Sequence, residues 1–375
     1  VFGTAGITRA WTDANGNFVP DCDLTNPAAQ DLRASGGDLC GVMSNTSFGQ
    51  NVLTNNFDPA LLAGWGIRPS DWNLGFSIQQ QLGRRSSFEI SYLRRWFQNF
   101  SVVDNLALQP ADLTRFSIVA PLDPRLPGGG GYVIPDLYDV NPDKSGEVDN
   151  FVTDAKTYGT WSQYFNGVDV TANIRIGSRF TFLGGTSTGQ TVADSCSIRA
   201  AMPELSTTTT GTSVFGAGLA ASAVTPLSPY CHVAYGILTQ FRGLASYVFP
   251  KADVQLSATI QSKPGAMLAA NYAATNADVA PSLHRNLSGN AANATVNLIA
   301  PGTLYGDRIN QLDVRVSKVV KYRLSRTVVG VEIYNLLNSS AVLSYNNTFV
   351  PGGTWLQPLT ILTPRVFKIT AEVMF

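Results

Sequence analysis

Asp13, Asn15 and Asn17 stand at alternate positions in the run Asp-Ala-Asn-Gly-Asn, and Asp21 and Asp23 follow. Oxygen ligands at that spacing suit a hard cation, and the stretch looks like a calcium loop of the D-x-N-x-N type. The EF-hand pattern then breaks off: Phe18 stands where glycine makes the turn, and Leu24 where a bidentate glutamate closes the shell. An Asx-rich turn uses the same residues without a metal. Two expectations therefore stand side by side, a Ca2+ site and a metal-free turn braced by nearby cysteines.

Those cysteines fall in two local pairs, Cys22 with Cys40 and Cys196 with Cys231, each inside a polar segment rich in Gly, Pro or Asn. Neither a C-x-x-C step nor a set of histidine ligands accompanies them, so a zinc site is not expected. Two disulfides, and with them an oxidising extracytoplasmic compartment, are the expectation. His232 and His284 are the two histidines. Both fall in expected loops, whereas serine catalysis needs a Ser/His pair held by an orienting third group. No enzyme activity is expected. Gly128 to Gly131 lacks a following helix and a Lys-Ser/Thr step, so it is read as a loop hinge rather than a phosphate cradle. Thr207 to Thr210 is read as surface loop.

The chain of 375 residues must hold these groups with few charges, since Asp, Glu, Lys and Arg make up 14% of it. A soluble surface ordinarily draws on about 25%. Lys and Arg number 26 against 26 Asp and Glu, with no like-charge run, so no nucleic-acid partner is expected. Hydrophobic residues reach 44%, yet no stretch approaches the roughly 18 apolar residues of a membrane-spanning helix. The chain starts at Val1 without a Met or a basic n-region, so a signal peptide is expected to have been removed or an N-terminal part to lie elsewhere.

Period-two alternation supplies the elements. In residues 71–82, Trp72, Leu74, Phe76, Ile78 and Leu82 share one face, while Asn73, Gly75, Ser77, Gln79 and Gln81 share the other. Val168, Val170, Ala172, Ile174 and Ile176 alternate in the same way with Asp169, Thr171, Asn173 and Arg175. Leu256 and Ile260 oppose Gln255 and Gln261, and Val314 and Val316 oppose Asp313 and Arg315. Such segments are long enough to cross a bilayer as tilted strands of about 9 to 11 residues. Ten strands are expected, at 2–10, 70–82, 87–98, 164–176, 179–191, 236–249, 253–262, 308–320, 327–337 and 365–375. Tight turns near 83–86, 177–178, 250–252 and 321–326 alternate with excursions near 11–69, 100–160, 192–233, 263–306 and 338–364. Short turns at one end and long loops at the other are the signature of an outer-membrane barrel.

The fold class read from the sequence is therefore all-β: an antiparallel transmembrane meander with long extracellular loops. Its wet face carries Glu89, Arg95, Asp169, Arg175, Arg242, Asp313, Arg315, Glu332, Lys368 and Glu372, expected to pair with one another or with a plug. The C-terminal run from Arg365 alternates Phe367, Ile369, Ala371 and Val373 with polar residues and ends on Phe375. That ending resembles the terminal-strand signal read by the barrel assembly machinery of the outer membrane.

Further stretches carry a family resemblance: DWNLGFSIQQQLGRRSSFEISYLRRW, FNGVDVTANIRI, DRINQLDVRVSKVV, VGVEIYNLLN and PRVFKITAEVMF, with the loop phrases WTDANGNFVPDCDL and DPRLPGGGGYVIPDLYDVNP. They are similar to the closing part of TonB-dependent transporter barrels, specifically the Oar-like branch with a carboxypeptidase-regulatory-like N-terminal domain, abundant in acidobacteria. The resemblance implies the C-terminal portion of a plugged barrel of about 22 strands. Residues 1–375 then form one barrel segment without a plug, and TonB is reached only through the missing N-terminal portion. A stand-alone barrel serving as a passive pore or surface adhesin is the alternative.

Overall fold

The computed structural model describes residues 7–44, 55–206, 229–322 and 325–374. The chain divides into two compact units, Val1–Asn56 and Phe57–Phe375.

The larger unit is built on an antiparallel meander: β1 (Ser70–Leu82), β2 (Ser86–Gln98), β3 (Ser162–Ile176), β4 (Phe180–Asp194), β5 (Leu238–Phe249), β6 (Val254–Lys263), β7 (Ile309–Tyr322), β8 (Ser325–Tyr334) and β9 (Val366–Met374). Each strand pairs with its sequence neighbours. A tenth, short strand, His232–Ala234, pairs with the end of β4 just upstream of β5 and shares its column. Sequence alternation is converted into rows by the register. Ile174, Phe182, Ala245, Ala258, Val314, Ile333 and Phe367 are cross-strand partners in turn, one apolar row over seven strands. Thr171, Gly185, Arg242, Gln261 and Gln311 make a polar row on the opposite face.

A glycine pair shapes that polar face. The Phe165 ring lies across Gly167 and Gly189, cross-strand partners on β3 and β4. A Cβ at Gly189 would lie 2.4 Å from the ring, so a side chain there would displace Phe165. Covering strand glycines with an aromatic ring restores the packing they lack.

Among the described residues, the buried members of both apolar clusters come from outside the nine strands, and Phe97 of β2 packs against the smaller one. The cores lie instead in the long excursions. In the larger cluster Phe116, Ile118, Ile134 and Leu137 come from residues 99–161, Ala274, Val279, Leu283 and Val296 from 264–308, and Phe349 and Trp355 from 335–365. The hairpin Leu113–Val119 with Val133–Val140, the strands Asn271–Thr275, Asn293–Asn297 and Thr348–Phe349, and the helix Asn276–Leu283 frame it. The connections expected as loops thus fold into a cap of their own. Gly128 to Gly131 forms a turn: all four have positive φ, and Gly131 N–H donates to Ala120 O at 2.9 Å.

One expected strand is corrected. Of residues 2–10, 2–6 lie outside the described residues, and Arg9 begins a strand, Arg9–Thr12, that pairs with Leu39–Met43 in a three-stranded sheet of the smaller unit. The expected barrel segment of residues 1–375 falls in two compact units, with the meander in Phe57–Phe375. The backbone of Arg9–Thr12 is taken up by pairing with Leu39–Met43, while Trp11 donates to Asp38 and Arg9 to the Asp23, Asn26 and Ala28 carbonyls. The strand expected at 327–337 ends at Tyr334, because Asn335 turns into the left-handed region at φ 48°.

Candidate functional site

The polar face of the meander holds a cavity of about 610 Å3 that spans β3 to β7. Asp169, Ser187, Gln240, Arg242, Thr259, Gln261, Gln311 and Asp313 line it. Alternation delivers these side chains to one face, and the strand order sets them side by side. Gln311 Nε2 donates to both Asp313 oxygens at 3.0 and 3.1 Å, and Asn335 N–H donates to Asp313 Oδ1 at 2.7 Å. Asp313 is thereby committed to holding the wall. Among the described residues, Arg242 and Asp169 line the cavity without an ion pair within 4 Å. A second cavity of about 850 Å3 lies at the tight-turn end, lined by Gln79, Gln81, Arg84, Arg85, Asn173, Arg175 and Thr181.

Other wall charges pair as expected. Arg95 Nε donates to Asp71 Oδ2 at 2.8 Å, and Glu332 lies 3.4 Å from Arg315 and 3.6 Å from Lys368. Glu89 accepts from Ser91 Oγ. The opposite face carries the exposed aliphatic set: Leu74, Phe76, Ile78, Val168, Leu256, Ile260, Val316, Val331, Phe367, Ile369 and Val373. Val170, Ile174, Val314 and Ile333 are half-buried, and none of the set is buried.

The excursions of the long-loop end are joined through side chains that alternation does not reveal. Asp123 and Arg125 form a two-pronged ion pair, with Nη2 to Oδ2 at 2.7 Å and Nε to Oδ1 at 2.9 Å. These bonds, with the Arg125 and Gly352 backbone N–H groups, hold the Asp123 carboxyl well below the usual carboxylate range. Tyr132 Oη donates to Leu298 O at 2.8 Å, and Trp355 Nε1 to Ala269 O at 2.9 Å. Arg285 pairs with Asp139, joining the same two excursions as Tyr132 and Leu298. Asn335 Nδ2 donates to Ser339 O and Thr363 O, which joins the two ends of the last excursion. The Asp-x-Arg step at 123–125 was the one local signal for this chemistry.

Cys196 and Cys231 are bonded, with Cα atoms 4.8 Å apart, at the long-loop end of β4. His232 Nδ1 lies 3.0 Å from Asp194 Oδ2, and His284 caps the helix Asn276–Leu283 in a left-handed conformation. Thr207 to Thr210 and Phe375 lie outside the described residues.

In the smaller unit Cys22 is bonded to Cys40, with Cα atoms 6.5 Å apart. Asp38, fully buried, accepts from Trp11 Nε1 at 2.8 Å and from the Ala14 and Asp21 backbone N–H groups. Asp13, Asn15, Asn17 and Asp21 come together as Asx turns. Asp13 accepts from Gly16 and Phe18 N–H, Asn15 Oδ1 from Asn17 N–H, and Asn17 Oδ1 from Val19 N–H. The amide nitrogens of Asn15 and Asn17, not their oxygens, face Asp21. Asp23 turns away to Thr25. A Ca2+ ion there would need both amides to rotate and give up their backbone partners. Among the described residues, no three His, Cys, Asp or Glu side chains gather as metal ligands.

No family model matches the chain, and no curated protein sequence matches it. Among solved structures the chain is similar to that titled the crystal structure of the outer membrane transporter YddB from Escherichia coli. The TM-score is 0.41 and the identity 10%, over 86% of this chain and 35% of that one. The chain thus spans 35% of the length of that transporter chain.

Proposed function

We propose that residues 57–375 are part of the wall of an outer-membrane transporter barrel, TonB-dependent and of the Oar-like type, contributing lumen wall and an extracellular cap to the uptake of a ligand. The observation that carries this reading is the uncovered row of aliphatic side chains opposite a polar, cavity-bearing face. A soluble sheet would bury that row against a second layer, at about 25 cal/mol for each Å2 taken from water. A bilayer covers it instead.

Strand count supports a partial wall. Four tight turns and alternating excursions make β1 and β9 run the same way, from the long-loop end to the turn end. Among the described residues each has a neighbour on one side only. Lipid-exposed backbone groups must be paired, and an antiparallel cylinder needs an even number of strands. An odd number of further strands therefore closes the wall. In this reading they belong to the N-terminal barrel portion, which also brings the plug and the contact with TonB, while Phe375 is the residue offered to the assembly machinery. Two disulfides fit the outer membrane, on the oxidising side of the envelope. A stand-alone pore would have to pair β1 with β9 in parallel.

The test is reagent access in cells. Single cysteines at Ile78, Val316 and Ile369, in the protein recovered from the outer membrane fraction, should react with a lipid-soluble maleimide and not with a charged one. Cysteines at Gln261 and Thr171 should behave in the opposite way. Labelling of the aliphatic set by the charged reagent, or recovery of the protein in a soluble fraction, overturns the proposal.

A further inference from the structure

Alternation puts one residue on the aliphatic face that does not belong in hydrocarbon. Arg94, exposed on β2, is the cross-strand partner of Leu74 on one side and Asn166 on the other. Its neighbour Arg95 points to the polar face and is paired with Asp71. Arg94 has no carboxylate within 4 Å among the described residues. It is held between rings instead: its guanidinium carbon is 6.0 Å from the Trp96 ring centre and 5.7 Å from that of Tyr164. Trp72, Trp96 and Tyr164 are consecutive cross-strand partners, an aromatic row at the long-loop end of the sheet. Such rows mark the level of lipid headgroups.

Two features separate this place from an arginine that merely reaches for water. Asn166, the cross-strand partner of Arg94, accepts from Tyr92 Oη through Oδ1 at 3.0 Å, which leaves its amide N–H groups as further donors. A cavity of about 480 Å3 adjoins it, with Leu74, Trp96, Phe97, Trp161 and Tyr164 as its apolar lining and Gln98, Ser162 and Gln163 beside Arg94 as its polar one. Among the described residues, Lys318 is the other strand cation that the register turns outward; it sits near the turn end, paired with Val254 and Val329, and has no ring partner of this kind. A fork of donors above an apolar slot matches an oxyanion attached to a hydrocarbon chain, and guanidinium is the side chain suited to a phosphate.

We propose that Arg94, with the Asn166 amide beside it and the Trp96 and Tyr164 rings around it, is a binding site for the phosphate headgroup of an outer-leaflet lipid. The phosphate takes the guanidinium and amide donors, and the first part of an acyl chain takes the apolar slot. The site rests on the membrane reading proposed above and adds a specific lipid to it.

The experiment compares the full-length protein with Arg94→Ala, Arg94→Lys and Lys318→Ala, each extracted from the outer membrane in mild detergent. Co-purifying lipid phosphate per protein is measured. Arg94→Ala should retain about tenfold less, the effect of one lost hydrogen-bonded charge. Arg94→Lys should fall between, because it keeps the charge and loses the fork, and Lys318→Ala should match the parent. If Arg94→Ala fails to assemble, Arg94→Lys and Tyr164→Leu carry the comparison. Equal lipid phosphate in the parent and the Arg94 variants, with the protein still in the outer membrane, overturns the site and leaves the membrane reading standing. Displacement of the lipid by millimolar inorganic phosphate alone overturns it in favour of a free-anion site. A parent protein found only in the soluble fraction removes both proposals.

Discussion

The Arg125 guanidinium lies 5.5 Å from the Trp355 ring centre and donates to the Trp355 carbonyl at 3.1 Å, across a separation of 230 residues. Cation and ring join the first described excursion of the meander to the last. Trp355 is also edge-on to Phe349, with ring centres 5.1 Å apart, inside the cap core. Trp355→Ala is expected to destabilise the cap by about 3–5 kcal/mol. Hydrogen exchange should accelerate in residues 113–140 and 269–298 while the nine strands keep their protection. Uniform loss across strands and cap would show that the two do not fold as separable layers.

Asp123 and Glu204 should give the cap opposite pH responses. Asp123 has its folded-state pKa depressed by the Arg125 hydrogen bonds, so its contribution is fully present above about 4 and is lost as pH falls further. Burial lifts the Glu204 carboxyl to about 7 from 4.5. Its contribution is present below about 4.5 and is lost as pH rises through about 7. Exchange protection of residues 196–206 should therefore decline between those pH values in the parent and stay flat in Glu204→Gln. Protection of 120–126 should be level over the same window.

Opening the Cys196–Cys231 bond, which spans 35 residues, by replacing both cysteines with serine is expected to cost about 2–4 kcal/mol through the freed unfolded chain. Limited proteolysis near 195–206 and 229–235 should rise. Unchanged cleavage there would mean that the neighbouring backbone bonds, such as Ser195 N–H to Cys231 O at 3.0 Å, suffice alone.

Charge insertion distinguishes the two faces of the sheet. Val331→Arg places a cation among Val316 and Ile369, at a cost of about 2–4 kcal/mol if the residue lies near the bilayer midplane. Gln261→Arg, on the cavity side, should be nearly neutral. Assembly yield in the outer membrane should fall for the first and hold for the second, and the reverse order would turn the sheet inside out.

The Asx turns of residues 13–21 predict indifference to calcium. At about 1 mM Ca2+, the range in which extracellular modules bind it, the thermal transition of the protein should not move. A rise of several degrees, abolished by Asp21→Asn, would assign the loop to the cation.

The meander was legible because its period is two and each of the nine strands repeats the signal over nine or more residues. Leu74, Phe76 and Ile78 declare a face by themselves. The cap was not legible, because its elements are short and their partners distant. Thr348–Phe349 is a strand of two residues that pairs in parallel with Asn271–Tyr272. Buried Ala270 and Ala274 show no local period. Asn335 continued the strand pattern on paper, yet its left-handed backbone and its bonds to Ser339 and Thr363 make it a corner. Of the candidate ligands, four gathered as the spacing suggested, but with amide nitrogens turned inward, and side-chain orientation has no signature in sequence.

The parallel sense of β1 and β9 also bears on self-assembly. Rotational symmetry about an axis normal to the membrane leaves the direction of every strand unchanged. Copies of this sheet arranged in a ring would set β9 of one against β1 of the next, both running the same way, at every seam and for any number of copies. No ring built from the nine described strands alone is antiparallel throughout, so in the barrel reading proposed above the strands that complete the wall are not those of a second copy of this sheet.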